Sequence, residues 1–163
     1  MSARENVLDQ VLEGIGAAGT KYCRLVLLVG PTGSGKTSAL RAVHTRTNAP
    51  IRNIGLKLSA LMLELSDKER TTGVSRLLEK AAASPGSDAL LLDNIEILFD
   101  PSLHADPLQL LKSLSKTRTV AVAWPGRIEA NRLFYGEPAH PEYRRYAVDD
   151  LAIVEMGSGK CGR

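Results

Sequence analysis

Lys36 and Thr37 close the run Gly30-Pro31-Thr32-Gly33-Ser34-Gly35-Lys36-Thr37, which separates the apolar stretch Leu25-Val26-Leu27-Leu28-Val29 from a helix-forming segment beginning at Ser38. These residue types at this spacing suit the binding of phosphate. Glycines let consecutive backbone N–H groups converge on phosphate oxygens at a helix N-terminus, where the helix dipole also favours negative charge. Lys36 is placed to reach the β- and γ-phosphates of a nucleotide, and the Thr37 hydroxyl to ligate Mg²⁺. The competing reading is a Gly/Ser linker, but a linker has no reason to carry Lys-Thr between a buried strand and a helix. The expected binding residues are therefore Gly30, Pro31, Thr32, Gly33, Ser34, Gly35, Lys36, Thr37 and Ser38.

A second chemical signal ends the run Ala89-Leu90-Leu91-Leu92-Asp93. Four apolar residues in a row suit a strand buried on both faces of a parallel sheet. A carboxylate at its end can hold a metal-bound water beside the Thr37 ligand, so Asp93 and Thr37 are the expected Mg²⁺ residues. The alternative for Asp93 is a helix N-cap. Asn94 follows directly, and Glu96, two residues further, is the nearest carboxylate in sequence able to orient a water for attack. His44, His104 and His140 have no metal-ligand spacing, and each reads as a surface or capping residue.

The elements that position these groups follow from periodicity. Ser2 and Glu5 form a possible capping box for a leading helix within residues 1–19, which carries Val7, Leu8, Val11, Leu12 and Ile15 at helical spacing. After the loop, a helix from Lys36 to about Arg46 is stopped by Asn48 and Pro50. Ile51 to Gly55 predicts a second strand, and Leu58, Leu61, Met62 and Leu65 a short helical turn. Ser66 and Glu69 offer a capping box for a helix with Val74, Leu77, Leu78 and Ala81 inward, and Ser84-Pro85-Gly86-Ser87 marks the turn out of it. Beyond Asp93, Asp106 and Pro107 read as N-cap and first residue of a helix with Leu108, Leu110, Leu111 and Leu114 buried. Thr119–Ala123 is the fourth strand and 151–154 the fifth, with an irregular stretch and a short hairpin around Asn131 between them. Residues 157–163 follow the last strand, open no helix and read as a flexible tail.

Strands alternating with helices imply a parallel α/β sheet with its ligand at the carboxyl ends of the strands. The 163 residues, 44% of them apolar, fit a single domain over 1–156. A formal charge of +3 is too mild to demand nucleic acid as partner. Two cysteines, Cys23 and Cys161, form neither a disulfide framework nor a metal site. No stretch approaches about 18 apolar residues, so neither signal peptide nor membrane span is expected and a cytoplasmic location follows.

A strand candidate and a long helix between the loop and Asp93 resemble the additional-strand P-loop ATPases rather than the kinase and GTPase group. No Asn-Lys-x-Asp guanine motif occurs, which favours ATP. The order of helix, GPTGSGKT loop, second strand, ALLLDNIEILFD and two further strands resembles a minimal AAA+ or STAND core, and nearly the whole chain is covered. More narrowly, LLLDNIEILF, VAWPGR and HPEYRRY are similar to segments of the BrxF family, the small P-loop ATPases of type 3 BREX phage-exclusion systems. That resemblance implies a defence component acting with a methyltransferase, a helicase and other large proteins on phage DNA. It also implies ATP and Mg²⁺ as cofactors. The AAA+ resemblance points to Arg144 and Arg145 as arginine-finger candidates acting between subunits of a homo-oligomer formed on ATP binding, against the plain alternative of a solvated pair.

Three departures from the AAA+ pattern bear on hydrolysis. Asn94 stands where a glutamate usually polarises the attacking water, Trp124 rather than a polar sensor follows the fourth strand, and the chain ends after the fifth strand with no helical lid. Four functions therefore compete. An ATPase controlling a defence complex leads. A non-hydrolysing ATP-dependent switch is motivated by Asn94 and the missing lid. A small-molecule kinase needs an acceptor pocket and a basic lid that are not evident. Direct DNA binding rests on scattered basic residues alone.

Overall fold

A computed structural model describes residues 3–18, 22–84, 86–136, 139–148 and 151–156. In chain order the elements are α1 (Ala3–Ala18), β1 (Leu25–Gly30), α2 (Lys36–Thr47), β2 (Ile51–Asn53), α3 (Ile54–Met62), α4 (Asp67–Ala82) and β3 (Ala89–Asp93). Two 3₁₀ turns follow (Glu96–Phe99 and Pro101–Leu103), then α5 (Pro107–Leu114), β4 (Thr119–Pro125), β5 (Arg127–Glu129), β6 (Arg132–Tyr135), β7 (Arg144–Ala147) and β8 (Ala152–Glu155). Ser2, the Glu5 side chain, Gly19, Pro85, Cys161 and the expected tail lie outside what is described.

Five strands form one parallel sheet in the order β2-β3-β4-β1-β8. The expected α/β architecture with a five-stranded sheet flanked by helices is therefore present. Strand β4 lies between β1 and β3, which is the additional strand separating the phosphate loop from the aspartate strand. Side chains alternate across each strand, and the apolar runs are buried on both faces. Val26 and Leu28 of β1, Leu91 of β3, and Ala121 and Ala123 of β4 meet Val11 of α1 and Leu40 and Val43 of α2. Leu25, Leu27 and Val29, with Leu90, Leu92, Val120, Val122 and Trp124, meet the side chains of α3, α4 and α5 on the other face. With only alanines of β4 facing it, the first face leaves room for the close approach of α2, whose N-terminus receives the loop.

Local chemistry sets the helix starts. The Ser66 side chain accepts from Glu69 N while the Glu69 carboxylate accepts from Ser66 N, which is the expected capping box. Asp106 Oδ1 accepts from Leu108 N and Gln109 N, with Pro107 at the first helical position, also as expected.

Several boundaries differ from the sequence reading. Strand β2 stops at Asn53 rather than Gly55, because Asn53 Oδ1 accepts from Leu56 N and starts a helix there. What reads as a short turn from Leu58 to Leu65 is the helix α3, nine residues long and ending at Met62. Trp124 lies within β4 rather than after it. The irregular stretch contains a second sheet, antiparallel, in the order β5-β6-β7. Its first hairpin turns at Ala130 (φ 49°) and Asn131 (φ 63°), the pair of left-handed residues that a tight two-residue hairpin loop requires. The hairpin around Asn131 is expected; β7 has no forecast in the sequence, since its Arg-Arg-Tyr-Ala residues carry little apolar alternation.

Candidate nucleotide-binding site

The loop leaves β1 at its carboxyl end and turns tightly, with Ser34 N donating to Pro31 O at 3.1 Å. Gly35 (φ 98°) caps α2 in a left-handed conformation that a side chain would strain. Gly30 has no room for a Cβ: it would lie 2.5 Å from Ser34 Oγ and 2.7 Å from Met156 O. The Ser34 hydroxyl is buried and makes no hydrogen bond, and a buried hydroxyl without a partner carries a desolvation cost that an incoming oxygen acceptor relieves.

Lys36 is only 9% exposed, and its ammonium donates to Gly30 O at 2.7 Å and Pro31 O at 2.8 Å. Burial pushes its pKa down, while the charges of Glu96 and Asp93 pull it up. An ammonium has three protons, so two hold it in the loop and one remains for a phosphate oxygen. The Thr37 hydroxyl donates to Asp93 Oδ2 at 2.7 Å, across the 56 residues that separate them. The other carboxylate oxygen accepts from Asn94 N at 3.0 Å. The cap of the following 3₁₀ turn is Ile95, so Asp93 caps no helix, and its carboxylate is held against the Thr37 side chain.

These groups line an open cleft of about 330 Å³ together with Thr32, Gly33, Ser38, Asn94, Glu96 and Ala123. Asn94 has φ 56°, an uncommon backbone for a residue other than glycine. It sits against α3, where a Cβ on Gly55 would come within 3.0 Å of Asn94 O. Glu96 is exposed on the cleft rim at the start of its 3₁₀ turn. A hydroxyl and a carboxylate form a hard oxygen set suited to Mg²⁺, and the loop's N–H groups, the unpartnered Ser34 hydroxyl and Lys36 suit a polyphosphate. The residues present fit both groups. No cluster of three or more His, Cys, Asp or Glu residues able to hold a metal occurs among the described residues.

The fold thus gathers most loop residues, Asp93, Asn94 and Glu96 around one cleft. It does not bring Arg144 or Arg145 among the residues lining it. Arg144 is half-buried in β7 and donates to Tyr143 O at 3.2 Å and Ala105 O at 3.4 Å, while Arg145 is exposed. His44 Nδ1 lies 2.7 Å from Ala49 O, and His140 Nδ1 accepts from Glu142 N at 3.1 Å. Two residues near the cleft escape a reading by sequence. Ala123, two residues before the end of β4, carries no chemical signal. Tyr135 lies in β6 yet stacks on Phe99, which closes the turn that Glu96 opens, a neighbourhood only the tertiary fold creates.

The sequence matches the ATPase family associated with various cellular activities (AAA) over residues 26–120, more than half of the chain. No curated protein matches it. Among solved structures, C. elegans PCH-2 is similar at 15% identity with a TM-score of 0.37, covering 93% of this chain and 41% of that one. The chain therefore spans less than half the length of that relative. No described helix is long and apolar enough to cross a membrane. Phosphate loop, aspartate strand and family match agree, and the chain belongs to the AAA family of P-loop ATPases.

Proposed function

We propose that the chain binds ATP with Mg²⁺, hydrolyses it, and acts in the cytoplasm as a nucleotide-controlled component of a bacterial anti-phage complex of the BREX type. The observation that carries the nucleotide reading is the 2.7 Å bond between Thr37 and Asp93 beside the buried Lys36. Mg²⁺, when bound, neutralises charge on the β- and γ-phosphate oxygens. Thr37 and Asp93 are the residues that would hold it, Asp93 through water. Loop N–H groups and Lys36 orient the phosphates, and Glu96 orients the attacking water from the cleft rim. The defence reading is supported by the three segments similar to the BrxF family. Residues 90–99 form most of β3 and the turn bearing Glu96, 122–127 the end of β4 and start of β5, and 140–146 the entry to β7. The first supplies Asp93, Asn94 and Glu96 to the cleft and the second Ala123. In this reading other defence proteins, and DNA directly or through them, are the partners.

Single-turnover hydrolysis of Mg-ATP by wild type and Glu96→Gln tests the chemistry. Glu96→Gln is expected to retain ATP and lose most hydrolysis, and equal rates would remove Glu96 from the reaction. Phage plating on cells carrying the wild-type or Lys36→Ala chain in its own gene setting tests the role: exclusion should fail with Lys36→Ala, and undiminished exclusion contradicts nucleotide control. The second reading, a switch that binds ATP without hydrolysing it, is favoured by Asn94 at the usual glutamate position. Wild type that binds Mg-ATP and shows no turnover with or without its partners would establish it.

A further inference from the structure

Helix α4 turns Val74, Leu78, Ala81 and Ala82 into the core and a different face to solvent. On that face Glu69, Thr72, Gly73, Arg76, Leu77 and Lys80, with Leu65 just before the helix, line an open groove of about 510 Å³. The groove shares no residue with the nucleotide cleft. Gly73 sits near the middle of this 16-residue helix, where a glycine weakens the helix. A Cβ there would meet nothing within 4 Å, so no contact inside the chain requires the missing side chain. The Glu69 carboxylate accepts from Ser66 N with Oε1 and has a second oxygen to offer. Arg76 and Lys80 are exposed and form no ion pair among the described residues.

This face is complementary to itself. A two-fold axis crossing α4 between Val74 and Ser75 exchanges Glu69 with Lys80, Thr72 with Leu77, and Gly73 with Arg76. In an antiparallel pair of α4 helices each Glu69 thus faces a Lys80. Each Arg76 lays its methylene stem across the Gly73 of the other copy, where no Cβ stands in the way. Glu69, Gly73, Arg76 and Lys80 are spaced by four, three and four residues, the spacing of a seam between paired helices, and opposed helix dipoles add to the attraction. Along one helix Glu69 and Lys80 are about 16 Å apart, so these charges meet only between copies. We infer that this face of α4 is an isologous interface with a second copy of this chain. One helix face is small for an interface, so the dimer forms and dissociates with concentration. The inference is independent of the nucleotide reading.

Sedimentation equilibrium of the full chain without nucleotide measures the pairing. Wild type is expected to approach twice the monomer mass as its concentration rises. Gly73→Gln fills the notch and should stay monomeric while its thermal midpoint holds or rises, since glutamine is the better helix former; lost association is thereby kept apart from misfolding. Lys80→Glu sets like charges opposite one another at both ends of the seam and should also stay monomeric. Glu69→Lys/Lys80→Glu exchanges the two charges, keeps Ser66 as the N-cap and should regain the dimer. A wild type that is monomeric at every concentration would overturn the inference, as would a dimer indifferent to Gly73→Gln and Lys80→Glu. So would a folded double variant that stays monomeric. Mass growing past two copies would contradict it as well, because a two-fold contact closes on itself.

Discussion

Asp93 does two things with one carboxylate, accepting from Thr37 Oγ1 with one oxygen and from Asn94 N with the other. Neither bond helps the core; both fix the direction in which the group faces the cleft. Asp93→Ala is therefore expected to leave the fold intact and to abolish most of the gain in ATP affinity that Mg²⁺ provides, with metal-free binding little changed. Calorimetric ATP titrations across a range of Mg²⁺ concentrations measure this, and a wild-type magnesium response in the variant would remove Asp93 from the metal site. At this scale the sequence was highly legible. Lys36, Thr37 and Asp93 stand out by type and spacing, and the fold brings all three to one cleft. The Glu96 environment was less so, since Lys36 joins it in the cleft, and the Tyr135 ring meets its turn at Phe99, only through the tertiary fold.

Among the elements, the parallel strands were readable because burial on both faces forces unbroken apolar runs, as in β1, β3 and β4. The capping boxes and N-caps were readable because each is a local hydrogen bond encoded within about four residues. The antiparallel sheet was mostly hidden. Its strands are short, and its stability rests on distant rings: Trp124 lies 5.8 Å from Tyr146, edge to face, and Tyr146 donates to Asp106 at 2.9 Å. That construction has a pH consequence. The pKa of Tyr135 is raised from 10.0 to about 12, chiefly by burial and then by Glu142 and Glu96, and that of Tyr146 is raised by burial and its bond to Asp106. A raised pKa adds stability that is fully present below the unfolded value of 10.0 and lost as pH rises through the folded one. Alkaline titration followed by phenolate absorbance should thus show Tyr135 and Tyr146 ionising late, with unfolding beginning in the window from pH 10.0 to about 12. Four tyrosines ionising together near the ordinary value, with the fold intact, would contradict this packing.

For the whole molecule, the cleft is open on one side, and no described helix follows β8 to cover it. A neighbouring copy supplying Arg144 or Arg145 would both close the site and neutralise transition-state charge, an effect worth about 10³–10⁵ in rate in related phosphoryl transfers. Mixing Lys36→Ala protomers, which keep their arginines, with Arg144→Ala/Arg145→Ala protomers, which keep the phosphate loop, is expected to recover hydrolysis absent from either alone. No recovery at any ratio, with a monomeric mass in saturating Mg-ATP, would leave the pair as surface charge. The proposal beneath all of these is simpler: the loop, Lys36 and Asp93 of this α/β scaffold bind Mg-ATP. Isothermal calorimetry of Mg-ATP against wild type and Lys36→Ala tests it most directly, because Lys36 supplies the one buried cation among the described residues of the cleft. Saturable binding by wild type and its loss in Lys36→Ala, with both proteins folded by circular dichroism, is the predicted result. Equal affinities in the two proteins would contradict the account.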